Sequence, residues 1–263
     1  FPHFKYLSKN KFIEQLDFFE SKGVLASSID KFERETFLLT FDDGFKDHLF
    51  AAECLKKRKK VGIFFIPTFP YTEKKILNVH RIHLLLGKLG GKECMKNLKS
   101  FLYKNNILFK KNLVFKNVYR EQINDNDTLE FKKILNYNLS LEQKNIFLDE
   151  MFVNYKIKQK YFDIYLSIKE LKYLVDLGMI IGSHSHSHEV LSRYDDNQQN
   201  FEISFSKEYL QKKIGINVNL FCYPYGSKNT FNQSSRNFLK KNNYKYAFMF
   251  NPKDFSEIQI KKR

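Results

Sequence analysis

Three short runs in this 263-residue chain set chemically capable side chains beside residues that turn the backbone. The first is Thr40-Phe41-Asp42-Asp43-Gly44. Adjacent strand residues point to opposite faces, so two neighbouring carboxylates share one site only if the chain turns there. Gly44 can make that turn. Read alone, the run is equally a solvated turn. The second, Gly182-Ser183-His184-Ser185-His186-Ser187-His188, holds three of the chain's 7 histidines. His184 and His188 stand at i and i+4, which brings two imidazoles to one ion if the segment winds helically. His186 then lies about 200° away and reads as a supporting or structural ring. A chance clustering of histidines is the plain alternative. Two His with one carboxylate make an open hydrolytic metal site with a position left for water. The third run is Phe221-Cys222-Tyr223-Pro224-Tyr225-Gly226. Pro fixes one dihedral and Gly frees another, giving a rigid turn that presents Tyr225. By itself this is an ordinary strand-to-loop turn.

Each run closes a short apolar segment. Residues 36–41, 61–66, 179–183, 219–223 and 246–250 read as strands. None alternates cleanly, as expected where both faces are covered. Helical stripes lie between them: Phe12, Leu16 and Phe19; Phe45, Leu49, Ala52 and Leu55; Leu171, Leu174 and Val175. A fourth stripe, Phe201, Phe205 and Tyr209, is stopped by Gly215. Alternating strand and helix give an α/β class with a mostly parallel sheet or barrel. Such folds place their sites at the C-terminal strand ends, where the three runs fall. One stretch departs from the rhythm. No Pro occurs between Pro70 and Pro224, and no Gly between Gly91 and Gly178. Residues from about 81 to 165 therefore read as a helical insertion serving as lid, substrate platform or oligomer contact.

At 43% hydrophobic and 28% charged, the chain is too apolar to be disordered. Its longest apolar run, around Val61–Phe69, falls far short of the roughly 18 residues of a membrane span. The net charge of +16, from 45 Lys+Arg against 29 Asp+Glu, invites a nucleic-acid or anionic-membrane reading. Only 7 of those cations are Arg, the residue that forks onto phosphates and guanines, and the charge is dispersed. Nucleic acid is therefore not expected as a partner; peripheral contact with an anionic membrane stays open, as does the oligomeric state. The 3 cysteines make no disulfide framework and favour a cytoplasmic interior over a periplasmic or extracellular setting. The chain opens on Phe1 and not Met, so it reads as a piece truncated at both ends.

Taken in order, TFDDG, HSxxH and YPYG resemble the polysaccharide deacetylases, the NodB-like carbohydrate esterases. The flanking text agrees: QLDFFESKGV before the first run, GIFFIPT after it, and LVDLGMIIGSHSHSH into the second. The resemblance covers roughly residues 1–80 and 166–255. It implies one catalytic domain over residues 1–263, a distorted (β/α) barrel of about seven strands carrying the insertion. It also implies that Asp43, His184 and His188 hold a divalent metal, most often zinc, with Asp42 as general base. The Tyr225 backbone N–H would steady the oxyanion, and Pro224 and the Tyr225 ring would line the sugar site. The implied activity is a carbohydrate N-deacetylase, a hydrolase of linear amide C–N bonds. Its substrate would be an N-acetylated, or alternatively N-formylated, amino sugar of a surface polysaccharide, lipopolysaccharide precursor or lipid-linked glycan.

Two positions depart from the family's fuller pattern. Many members carry Arg two residues before the Pro of the third run, where this chain has Cys222. Many also carry a late His that protonates the leaving amine, whereas no His follows His188 here. His80 and His83 in NVHRIH stand either as substitutes for that acid or as structural residues. The departures keep a second reading open: a non-catalytic, metal-retaining protein of sugar binding or glycan assembly.

Overall fold

The apolar segments form strands that run parallel to one another. The computed structural model describes residues 7–30, 35–108, 115, 118–119 and 122–250. The ends of the expected resemblance, 1–6 and 251–255, lie outside these, as does most of 109–121 within the insertion. The segment 36–41 becomes two strands separated at Leu38: β2 (Thr36–Phe37) and β3 (Leu39–Asp42). β1 (Val24–Leu25) pairs in parallel with β2. β4 (Gly62–Ile66), β5 (Ile180–Ser183), β6 (Leu220–Cys222) and β7 (Tyr246–Phe248) follow β3 in chain order within a five-stranded parallel sheet. The result is a curled half-barrel with its helices outside.

Every residue of β4 is buried, because the strand is flanked by β3 and β5 and covered on both faces. Phe64, Ile66 and Ile181 face the outer helices. They pack with Leu16 of α1 (Lys9–Lys22), Leu55 of α2 (His48–Lys57), Leu171 and Leu174 of α8 (Ile168–Asp176) and Leu210 of α9 (Asp196–Ile214). The alternate residues Ile63 and Phe65 meet Leu220 and Cys222 on the inner face. α10 (Gln233–Lys241) packs against α9.

Helix α9 corrects one expectation. Its aromatic stripe does not face the core: Phe201 is 49% exposed and stacks on Phe205 along the outer surface. The buried face instead mixes Ile203 and Leu210 with Gln199, Glu202 and Ser206. Glu202 is buried because the loop after β5 needs hydrogen-bond partners, while Gln199 donates to the Tyr194 carbonyl and accepts from Ser235, and Ser206 bonds Ser183 of β5.

Among its described residues, the stretch that lacks punctuation holds helices. After the short α3 (Phe69–Thr72), α4 (Asn78–Lys104) bends at Gly90, whose φ of 74° is not helical. α5 (Asn126–Lys133) runs into a π-helical turn at Ile134–Asn138. α6 (Leu141–Asn154) and the single turn α7 (Tyr161–Ile164) complete this stretch. It has a core of its own, including Leu85, Leu98, Phe131, Leu135, Phe147 and Leu148. Cys54, Cys94 and Cys222 are free thiols. Among the described residues, no helix is long and apolar enough to cross a membrane.

Candidate metal centre and active-site cleft

The three runs meet at the C-terminal ends of β3, β5 and β6, and at each the backbone enters the left-handed region. Asp43 and Gly44 have φ of 77° and 68°, two successive left-handed residues that fold the chain back after β3. This lets Asp42 and Asp43 share one cleft despite the alternation of strand side chains. Tyr225 and Gly226 repeat the device after β6, at 61° and 65°. Ser185 and His188 are also left-handed, at 62° and 57°. Non-glycine residues held there store strain of about 1–3 kcal/mol each and persist only where surrounding contacts fix them. His184 to His188 is thus an irregular turn, not the helical one that the i, i+4 spacing suggested. The two rings still converge, with centroids 4.7 Å apart.

Asp43 Oδ1 lies 3.3 Å from His188 Nε2 and 3.7 Å from His184 Nε2. Among the described residues this buried oxygen has no hydrogen-bond partner, a costly arrangement for a carboxylate unless a cation sits among the three donors. His184 Nδ1 lies 2.8 Å from the Cys222 carbonyl. A carbonyl only accepts, so Nδ1 carries the proton and Nε2 keeps its lone pair for a metal. Burial lowers the His188 pKa to about 3, with Asp43 opposing, so its ring is neutral and able to ligate. Burial alone would raise Asp43, but His188, His80 and His184 outweigh it and hold the carboxylate ionised. The residues present therefore fit a divalent cation.

Asp42 is beside this set without belonging to it. Its Oδ2 is 4.0 Å from His184 Nε2 and 3.7 Å from the Cys222 thiol, which donates to it. Its side chain keeps 46% of its surface open to the cleft. Even so, burial among the cleft walls raises its pKa, with His184 opposing and Asp43 adding. Burial also pushes the Cys222 thiol well above its ordinary value. The cleft, about 420 Å³, is lined by Asp42, Tyr225 and Phe248 from the barrel and by His83, Tyr119 and Lys132 from the insertion. Tyr225 lies against His188 at 5.2 Å and Tyr137 at 5.8 Å between ring centroids. Pro224 is buried in the turn between the lining residues Tyr223 and Tyr225.

His80 does not face the cleft as a proton donor; it grips Asp43 from behind. Its Nε2 is 3.2 Å from Asp43 Oδ2, and its Nδ1 is 2.5 Å from the Tyr165 hydroxyl. The carboxylate accepts, so Nε2 carries the proton, and Nδ1 shares the other hydrogen bond with the Tyr165 hydroxyl. Tyr165 in turn accepts from the Leu77 N–H at 3.1 Å. The end of the insertion also pairs with the first run. Leu166 N donates to the Gly44 carbonyl and Lys46 N to the Ile164 carbonyl, both at 2.9 Å.

The sequence reading missed three other supports. Glu202 on α9 accepts from His186 N, Ser187 N and Ser187 Oγ at 2.9, 2.8 and 2.6 Å, pinning the irregular turn. Burial raises its pKa to about 7, with the Ser187 and His186 donors opposing. Lys144 on α6 forms a buried ion pair of 2.5 Å with Glu189, the residue after His188. Thr68 meets His186 Nδ1 at 2.9 Å, and Phe201 and Phe205 flank that ring, which makes His186 a structural residue. A buried-looking Lys on an insertion helix and an acid directly after the histidine run were the available signals.

Residues 143–247 match the polysaccharide deacetylase family. The match takes in the second and third runs, while the first lies ahead of the insertion. Comparison with curated proteins found no match. Among solved structures, the Streptococcus pyogenes deacetylase PplD, in complex with acetate, superposes with a TM-score of 0.51 at 16% identity. The overlap covers 92% of this chain and 73% of that one. The BpsB deacetylase domain of Bordetella bronchiseptica gives 0.53 at 12% identity, covering 91% and 77%. A de-N-acetylase of Aggregatibacter actinomycetemcomitans gives 0.52 at 12% identity, covering 95% and 82%. At these identities the likeness establishes the fold, the distorted half-barrel of the polysaccharide deacetylases. The family match supports deacetylation of a polysaccharide.

Proposed function

We propose that this chain is a metal-dependent carbohydrate N-deacetylase, removing an N-acetyl group from an amino sugar of a surface polysaccharide or lipopolysaccharide precursor. The observation that carries the reading is the convergence of Asp43 Oδ1, His184 Nε2 and His188 Nε2 on one point, with Asp42 open to the cleft beside them. A divalent cation held there, zinc by family resemblance, supplies Lewis acidity toward the amide carbonyl and toward water.

The chain's own groups do the rest. Asp42, ionised and facing the cleft, takes the proton of the attacking water, and its raised pKa makes it a better base. Tyr225 and Tyr119 line the cleft and offer a wall against which a sugar ring can lie, with the buried Tyr137 behind them. His80 has both ring nitrogens engaged, so it holds Asp43 and does not donate to the leaving amine. His83 lines the cleft one helical turn on, and we assign the leaving-group proton to it. Acetate and a free amine are the products.

The test is a mass-spectrometric screen for loss of acetyl from a panel of N-acetylated glycans, with added zinc. Asp42→Asn is expected to keep the metal and lose turnover, and His184→Ala to lose both. His83→Gln is expected to lower kcat with metal content unchanged. A purified protein that takes up no stoichiometric divalent metal would overturn the reading, as would full activity in Asp42→Asn. Absence of turnover on every glycan, with the metal bound, would favour the non-catalytic sugar-binding alternative.

A further inference from the structure

The cleft floor carries a second set of three donors. Asp42, His184 and Cys222 place a carboxylate oxygen, an imidazole nitrogen and a sulfur within 4.8 Å of one another. The Sγ–Oδ2 separation is 3.7 Å and the Nε2–Oδ2 separation 4.0 Å. A four-coordinate ion with bonds of about 2.0–2.3 Å holds neighbouring donors about 3.3–3.8 Å apart, so small side-chain rotations close this set on an ion. The sulfur gives it a chemistry that the Asp43 set lacks. Thiolate selects soft, thiophilic cations, whereas a carboxylate with two imidazoles suits harder ones.

The two sets cannot both be filled. Each needs His184, whose Nδ1 is committed to the Cys222 carbonyl, leaving Nε2 as its one donor. Cys222 therefore touches the centre twice. Its carbonyl aims His184, and its thiol stands against Asp42.

We propose that Asp42, His184 and Cys222 form an alternative metal site for a thiophilic cation, cadmium or excess zinc, and that its occupancy is inhibitory. On binding, the Cys222 S–H bond breaks, its proton leaves to water, and the sulfur electron pair forms the metal–sulfur bond; nothing is oxidised or reduced. Occupancy removes Asp42 from proton transfer and His184 from the Asp43 set. The inhibitory part rests on the deacetylase reading, but the site itself does not, and its test requires no turnover.

The probe is cadmium ion alone, titrated into the purified full chain while the ultraviolet charge-transfer band of a cadmium thiolate is recorded. The band is expected to saturate at one equivalent and to survive in Cys54→Ser. It is expected to vanish in Cys222→Ser and in His184→Ala. Cadmium affinity should fall about 100-fold or more in Cys222→Ser, since even an outer partner of a metal site is worth about 10–100-fold. Retention of one zinc by Cys222→Ser shows that the variant is folded, and Cys222→Ala serves as a second variant. Added zinc should displace the wild-type band competitively. The proposal is overturned by no band in wild type, by an undiminished band in both Cys222 variants, or by simultaneous full binding of zinc and cadmium. A protein that shows the band yet deacetylates nothing keeps this site and loses only the catalytic reading.

Discussion

The grip of His80 on Asp43 can be tested by moving a single donor. Gln places its amide nitrogen near where a histidine Nε2 lies, and Asn places its polar atoms near Nδ1. His80→Asn therefore keeps a partner for Tyr165 and removes the donor to Asp43, while His80→Gln does the reverse. The lost bond is 3.2 Å long and joins a ring 3% exposed to a carboxylate 20% exposed. A hydrogen bond to a charged group in such surroundings is worth about 1.5–3 kcal/mol. At about 1.4 kcal/mol per factor of ten, that corresponds to a loss of about 10–100-fold in metal affinity, the range expected of an outer partner. Competition against a chromogenic chelator measures the affinity directly, without any substrate. The expected result is a weakening of that size in His80→Asn, with His80→Gln recovering most of it. Metal affinity in His80→Asn within about twofold of wild type would refute the argument. So would equal losses in the two variants, because packing and not the donor would then be what matters.

Three further outcomes follow from other parts of the fold. Lys144→Met leaves Glu189 buried without its cation and is expected to cost about 3–5 kcal/mol in chemical denaturation. Lys144→Met combined with Glu189→Leu should recover most of this, and a single-variant loss below about 1 kcal/mol would contradict it. Gly182→Ala would bring a Cβ within 2.4 Å of the Phe65 ring, which should cost about 1–3 kcal/mol and several degrees of Tm; an unchanged melt would count against the packing described. Burial among Phe41, Phe45 and Phe64 lowers the His48 pKa to about 4 from 6.5. The unfolded chain then binds the extra proton first, so stability present above pH 6.5 falls by about 3 kcal/mol on acidification to about pH 4. His48→Phe should remove that part of the pH dependence, and identical stability profiles for the two proteins would exclude it.

The motifs were legible because each joins a chemical group to a turn residue at a strand end. Gly44 and Gly226 marked two of the turns, and the left-handed φ values at Asp43 and Tyr225 are what those glycines accompany. The supports were not legible, because they are long-range pairings of ordinary residues. His80 meets Asp43 across 37 positions and Tyr165 across 85. Neither pairing leaves a local pattern. The face of α9 was misread for a different reason. Amphipathic reading assigns polar residues to solvent, yet Glu202 is buried because the turn at His186 and Ser187 has donors to satisfy. The insertion could be seen from its missing Gly and Pro, but its union with the first run at Gly44 and Tyr165 could not.

That union also decides which parts of the chain the Asp43 carboxylate leans on. Asp43 leaves the barrel at β3, yet its outer oxygen is anchored by a ring from α4 and, behind it, by a hydroxyl that arrives only when the chain returns after α7. A barrel without that stretch would keep its two histidines and leave Asp43 Oδ2 without either anchor. The stretch between β4 and β5 is accordingly a structural part of the Asp43 site, so excising it, or grafting the three runs onto another barrel, would leave the carboxylate unanchored.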